Sequence, residues 1–137
     1  MAPTERAEEV VHDYYDALRD GDPLEPYFLQ DESTVKFGIS ESLFGGADVA
    51  NALEEQTETT ESWTVVSRHL VTKEWDGFAT FADEVTMAWT DAERGDQNRF
   101  DSRWSGTLIE RLSDPDSQNG GPNWQFALMH VSAPHEL

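Results

Sequence analysis

The sequence has 137 residues, of which 28 are Asp or Glu and 9 are Lys or Arg, giving a formal net charge of −19 and a pI near 4.2. That length suits one domain with one hydrophobic core, and a 37% hydrophobic content with five Trp, seven Phe and three Tyr supplies large rings to fill it and excludes a disordered chain. The charge argues against nucleic acid and against an anionic membrane surface as partners, since a polyanion repels phosphates, and the lack of Cys excludes disulfides and thiolate sites.

Within residues 4–19, Ala7, Val10, Val11, Tyr14 and Leu18 recur at helical spacing and define one face of an amphipathic helix. Thr4 is placed to cap it, with Glu5, Glu8 and Glu9 near the positive end of its dipole, and Gly21 stops it. Asp22-Pro23 starts a short second helix through Tyr27 and Phe28. Residues 34–39 alternate as a strand. A third helix follows Gly45-Gly46, with Val49, Ala50 and Leu53 on its buried face and Asp48 near its start.

The second half changes character. Segments 63–73, 78–89, 100–112 and 124–132 are rich in β-branched and aromatic residues with period-two patterns, which predicts a long antiparallel meander. Trp75-Asp76-Gly77 reads as a tight hairpin, residues 91–98 as a polar loop around Gly95, and residues 113–123 as a longer polar loop with Asn119-Gly120-Gly121-Pro122. No repeat or linker interrupts residues 1–137, so the expectation is a single α+β domain, with a core from about 5 to 134 and helices on one face of a curved sheet.

Several strings, taken in order, resemble the SnoaL-like branch of the nuclear transport factor two-like superfamily. VVHDYYDALRDGD is similar to that family's first helix, DESTVKFGIS to its first strand, and FGGADVANALEEQ to its glycine turn and following helix. GTLIERL and WQFALMHVSAP resemble its last two strands, with a Trp opening the final strand and His-x-Ser-x-Pro closing it. The resemblance spans roughly residues 5–134. It implies a cone-like α+β barrel, a curved antiparallel sheet wrapped around three helices from the N-terminal half, a pocket between sheet and helices, and a homodimer formed through the sheet's outer face. It implies no single chemistry, because one fold carries many functions.

The family's ketosteroid isomerases use a carboxylate base with a tyrosine and a protonated aspartic acid as oxyanion hole. Tyr14 matches the first-helix tyrosine and lies on the apolar face. At the place of the base, DESTVKFGIS aligns to put Phe37, and the stretch near the second acid reads Arg103-Trp104-Ser105-Gly106-Thr107. A phenyl ring abstracts no proton, which argues against steroid isomerisation.

The remaining candidates form a mixed set. Strict alternation puts His130 and Ser132 on the same face as Trp124, Phe126 and Leu128, so His130 is an acid or base opposite Tyr14 if that face is concave, and otherwise a histidine held by its neighbours. Arg68 and Arg103 would hold an anionic ligand if they point inward, and pair with surface acids if they do not. Asp83, Glu84 and Asp101 are the strand carboxylates able to act as a base from an inward position. Phe37, Trp104 and Trp124 would wall an apolar pocket. His12, His69, His130 and His135 lack metal-ligand spacing, and Gly45-Gly46 lacks the residues of a phosphate loop.

These readings converge on a pocket for a small apolar or polyketide-like molecule, serving a cofactor-independent cyclase- or isomerase-type reaction through Tyr14 and His130. The competing reading is a non-catalytic ligand-binding or association module. With acids spread along the chain and only two lysines, Lys36 and Lys73, the composition resembles that of a salt-loving microbe's protein. An acidic N-terminus without an apolar run points to a cytoplasmic protein.

Overall fold

The structure, a computed structural model, describes residues 6–111 and 122–134. The Thr4 cap, most of the 113–123 loop and His135 lie outside the described residues. Helix α1 (Ala7–Asp20) buries Ala7, Val10, Val11, Tyr14 and Leu18 as expected, and also Tyr15 and Ala17. Its first amide, Ala7 N, donates to Glu74 Oε1 at 2.7 Å, so a distant strand supplies the cap. It ends at Gly21, whose φ of 73° lets Asp22 N turn back to the Ala17 carbonyl at 2.9 Å.

The expected second helix is a single 3-10 turn (Glu25–Tyr27). Among the described residues the fold therefore has two α-helices rather than three, because the chain goes extended at Phe28 to bridge Phe126, with Leu29 N donating to the Phe126 carbonyl at 2.9 Å. Helix α2 (Gly46–Thr59) buries Val49 and Leu53, with Ala50 half-buried.

Seven strands follow one another as β1 (Val35–Gly38), β2 (Glu41–Phe44), β3 (Thr60–Ser67), β4 (Val71–Trp75), β5 (Phe78–Asp91), β6 (Gln97–Glu110) and β7 (Trp124–Ser132). They form one sheet in the order β2-β1-β7-β6-β5-β3, with β4 also on β5. Two expectations are corrected here. The sheet is mixed, because β1 lies parallel to β7, which a helix-containing crossover permits. The expected 63–73 strand is two strands, β3 and β4, both paired with β5.

The core packs α1 against the inner face. Tyr14 meets Phe28, Phe126 and Trp104 edge to face at ring distances of 5.3 to 6.2 Å. No helix among the described residues is long and apolar enough to cross a membrane.

Two bulges decide where side chains point. In β7 the register slips at Ala127, since Thr107 faces Leu128 while Leu108 faces Phe126. One extra residue inverts the alternation. Trp124 and Phe126 are buried before the bulge, Met129 and Val131 after it, and Leu128, His130 and Ser132 point outward. Gly106 faces the bulge, and a Cβ there would stand 2.0 Å from the Leu128 carbonyl oxygen. In β3 the register slips between Glu61 and Thr64, with Ser62 at a φ of 57°.

Candidate functional site

The inner face of the sheet and the two helices enclose a cavity of about 380 Å³, within the range of small-molecule sites, roughly 300–1,000 Å³. Five aromatic rings stand in its walls, those of Tyr14, Trp63, Trp89, Phe100 and Trp104. Trp63, at the β3 bulge, stacks on Trp89 at 4.7 Å and 18°, and Trp89 stacks on Phe100 at 5.6 Å and 27°. The Trp63 indole is held by donating to Thr60 Oγ1 at 2.7 Å. Trp104 closes the far side and donates to Ser102 Oγ at 2.8 Å.

Three of the polar side chains lining this space are ionisable. Tyr14 lines it from α1. Burial, with the nearby Glu41 carboxylate, pushes the Tyr14 hydroxyl far above its ordinary range, so it stays a phenol and a donor at any working pH. Lys36 enters from β1, its side chain only 8% exposed, and its Nζ donates to Glu41 Oε1 at 2.5 Å. Glu41 opens β2 and stands on the rim, its side chain 37% exposed. Among the described residues lining the cavity, Glu41 is the only carboxylate and Lys36 the only cation. A buried ammonium without a counterion costs on the order of several kcal/mol, so this pair balances the charge of the cavity wall.

The expected residues divide between the two faces of the sheet. Tyr14 and Trp104 both line the cavity. His130 does not join them. The β7 bulge puts it on the outer face, where it meets the Phe37 ring at 5.6 Å and borders a shallow depression with His69, Arg103, Ser105 and Ser132. Phe37 is corrected too, since it pairs with Ser42 and His130 on the outer face while Lys36 takes the inward position. Arg68 lies outside the cavity as well, 3.7 Å from Glu84, and Arg103 faces Glu84 across β5 and β6. Trp124 is buried in the core away from the cavity.

Asp83 does point inward, but its carboxylate accepts from Tyr15 Oη at 3.0 Å, Ser67 Oγ at 2.6 Å and His69 N at 2.9 Å, and it is absent from the cavity wall. Glu84 and Asp101 are exposed. No group of three or more His, Asp or Glu side chains among the described residues is placed to hold a metal ion.

Sequence reading missed Lys36 and Glu41. In a four-residue strand the apolar Val35 and Phe37 mark the inner face by the usual rule, yet here the outer face is itself apolar, with Phe44 and Leu128 beside them. The available signal was a lysine and a glutamate flanking Gly38 within one hairpin, in a chain with only two lysines.

No family model matches the sequence, and no curated protein matches it by sequence. Solved structures match its fold. A candidate dehydratase of the nuclear transport factor two-like family from Streptomyces avermitilis superposes with a TM-score of 0.76 at 12% identity, covering 94% of this chain and 94% of that one. A ketosteroid isomerase-like protein from Erwinia carotovora atroseptica gives a TM-score of 0.69 at 16% identity, again with 94% of each chain covered. A candidate calcium/calmodulin dependent protein kinase II association domain from Xanthomonas campestris gives 0.70 at 20% identity, covering 99% of this chain and 95% of that one. Likeness at these identities is likeness of fold, and the cone-like α+β architecture expected from the sequence is present.

Proposed function

We propose that this chain, built on the nuclear transport factor two-like fold, binds a small, flat, largely apolar molecule carrying one polar oxygen, and that the cavity supports acid–base chemistry on it without a cofactor. The observation that carries this reading is that Tyr14, Lys36 and Glu41 line one largely apolar cavity, with Lys36 bonded to Glu41 and the Glu41 carboxylate close enough to act on the Tyr14 hydroxyl. Tyr14 donates to the ligand oxygen as a phenol, the Lys36 ammonium stabilises negative charge developing on it, and Glu41 accepts a proton from an adjacent carbon. The reaction class is enolisation, the first half of an isomerisation, dehydration or cyclisation. His130, proposed from sequence as the acid or base, gives way to Glu41 in this scheme.

The test uses 2-tetralone, a neutral enolisable ketone with two fused rings. Deuterium exchange at its α-carbon, followed by NMR, is expected to exceed the buffer rate. Removing the donor in Tyr14→Phe should slow it by about 10²-fold, and Glu41→Gln should reduce it to the buffer rate. Exchange no faster than buffer in the wild type, with 2-tetralone still quenching tryptophan fluorescence, would leave a binding domain without turnover.

A second reading, an association module, is favoured by the outer face of the sheet. Phe44, Val66 and Val71 are each more than half exposed, Phe44 near Leu128 and the Phe37–His130 contact on one side of the sheet and Val66 and Val71 on the strands paired with β5 at the other. Apolar residues spread across that face fit a homodimer joined through the sheet. Light scattering is expected to give a dimer that Val66→Asp dissociates, and a monomer at every concentration would remove this reading.

A further inference from the structure

The Lys36–Glu41 pair is built differently from a permanent structural ion pair. Lys36 is deep, on the inner face of β1, and cannot change its exposure without leaving the strand. Glu41 is shallow, on the rim, and follows the exposed residues Ile39 and Ser40 of the hairpin turn. It reaches Lys36 only by folding across Gly38, its register partner: a Cβ at position 38 would stand 2.7 Å from Glu41 Cγ and 2.8 Å from its Oε1. Glycine at 38 thus gives the carboxylate a passage inward, with open solvent as its alternative.

We infer that the Glu41 carboxylate occupies the place of a ligand's own anionic oxygen, and that the natural ligand is an aromatic carboxylate or enolate that displaces Glu41 from Lys36. The inference rests on the cavity being the ligand site and deepens that reading by naming the ligand's charge. A buried ammonium must keep a counterion, so a neutral molecule leaves Glu41 in place while an anion exchanges with it one for one. The stacked walls of Trp63, Trp89 and Phe100 select a flat ring system behind that oxygen.

Isothermal titration with 2-naphthoate and its neutral counterpart 2-naphthamide tests this. Wild type should bind the carboxylate more tightly than the amide. Glu41→Gln and Gly38→Ala, one removing the competing charge and the other blocking its passage, should each tighten 2-naphthoate and raise its preference over 2-naphthamide several-fold. Lys36→Met should abolish the preference for the carboxylate; if that variant or Glu41→Gln, which leaves the ammonium without its counterion, does not fold, Gly38→Ala decides, and unchanged or weaker 2-naphthoate binding there overturns the exchange. Should Glu41→Gln weaken or leave unchanged the binding of 2-naphthoate while 2-naphthamide still binds, the exchange is wrong and the cavity reading stands. Binding of neither probe to any variant overturns both.

Discussion

Tyr14 and Tyr15 are adjacent in sequence and both buried, yet they serve different parts of the molecule. Tyr14 faces the cavity, whereas Tyr15 donates to the buried Asp83 carboxylate and packs edge-on against Trp104 at 5.4 Å. Tyr15→Phe removes one of the three donors on Asp83 and should cost about 1–3 kcal/mol, read as a lower Tm with ligand binding intact. Tyr14→Phe keeps the ring and should act on the ligand instead. Equal loss of Tm in both, without any ligand effect, would make Tyr14 structural. The two hydroxyls also predict alkaline behaviour. Burial is the largest cause in each case, and it raises both above their ordinary range, with Asp83 adding to the rise at Tyr15. The unfolded chain releases these protons above pH about 10 while the folded chain keeps them. Stability is therefore full below that pH and falls as pH rises beyond it. Urea midpoints measured from pH about 8 to about 11 should show the decline, and it should be shallower in the double Phe variant.

At the scale of elements, the sequence reveals helices and strands well where patterns are long. The face of α1, the α2 start at Gly45-Gly46, the Gly77 hairpin and the strands at 78, 100 and 124 are read from periodicity and turn residues. What it hides is parity. A single extra residue at Ala127 exchanges the faces of β7, taking His130 and Ser132 out of the cavity and putting Met129 and Val131 in. Alternation cannot detect this, because Trp124, Phe126 and Leu128 continue an apolar series through the slip. Four-residue β1 is ambiguous for the same reason, which is why Phe37 was expected where Lys36 stands. The bulge has a partner in Gly106. Gly106→Ala would force a methyl into the Leu128 carbonyl, where backbone and not a flexible side chain must yield. The expected loss is about 1–3 kcal/mol or more, and thermal melts showing an unchanged Tm would contradict the close approach.

The whole molecule carries a charge of −19, and its cations are already engaged where Arg19, Lys36, Arg68 and Arg99 meet acids among the described residues. The remaining acids repel one another over distances that salt screens within about 8 Å at physiological strength. If the composition reflects adaptation to concentrated cations, Tm followed by circular dichroism should climb steeply as KCl is raised from about 0.1 M to about 2 M. An unchanged Tm across that span would assign the acidity to ordinary solubility. The same screening should speed entry of an anionic ligand, opposite to the slowing that salt causes for attractive steering. The parallel seam between β1 and β7 has a further consequence, for biosynthesis. Lys36 is made before its register partner Met129, with β2 to β6 in between, so the hollow has no closed wall until β7 has been added and the first strand must wait for it, unpaired on one edge.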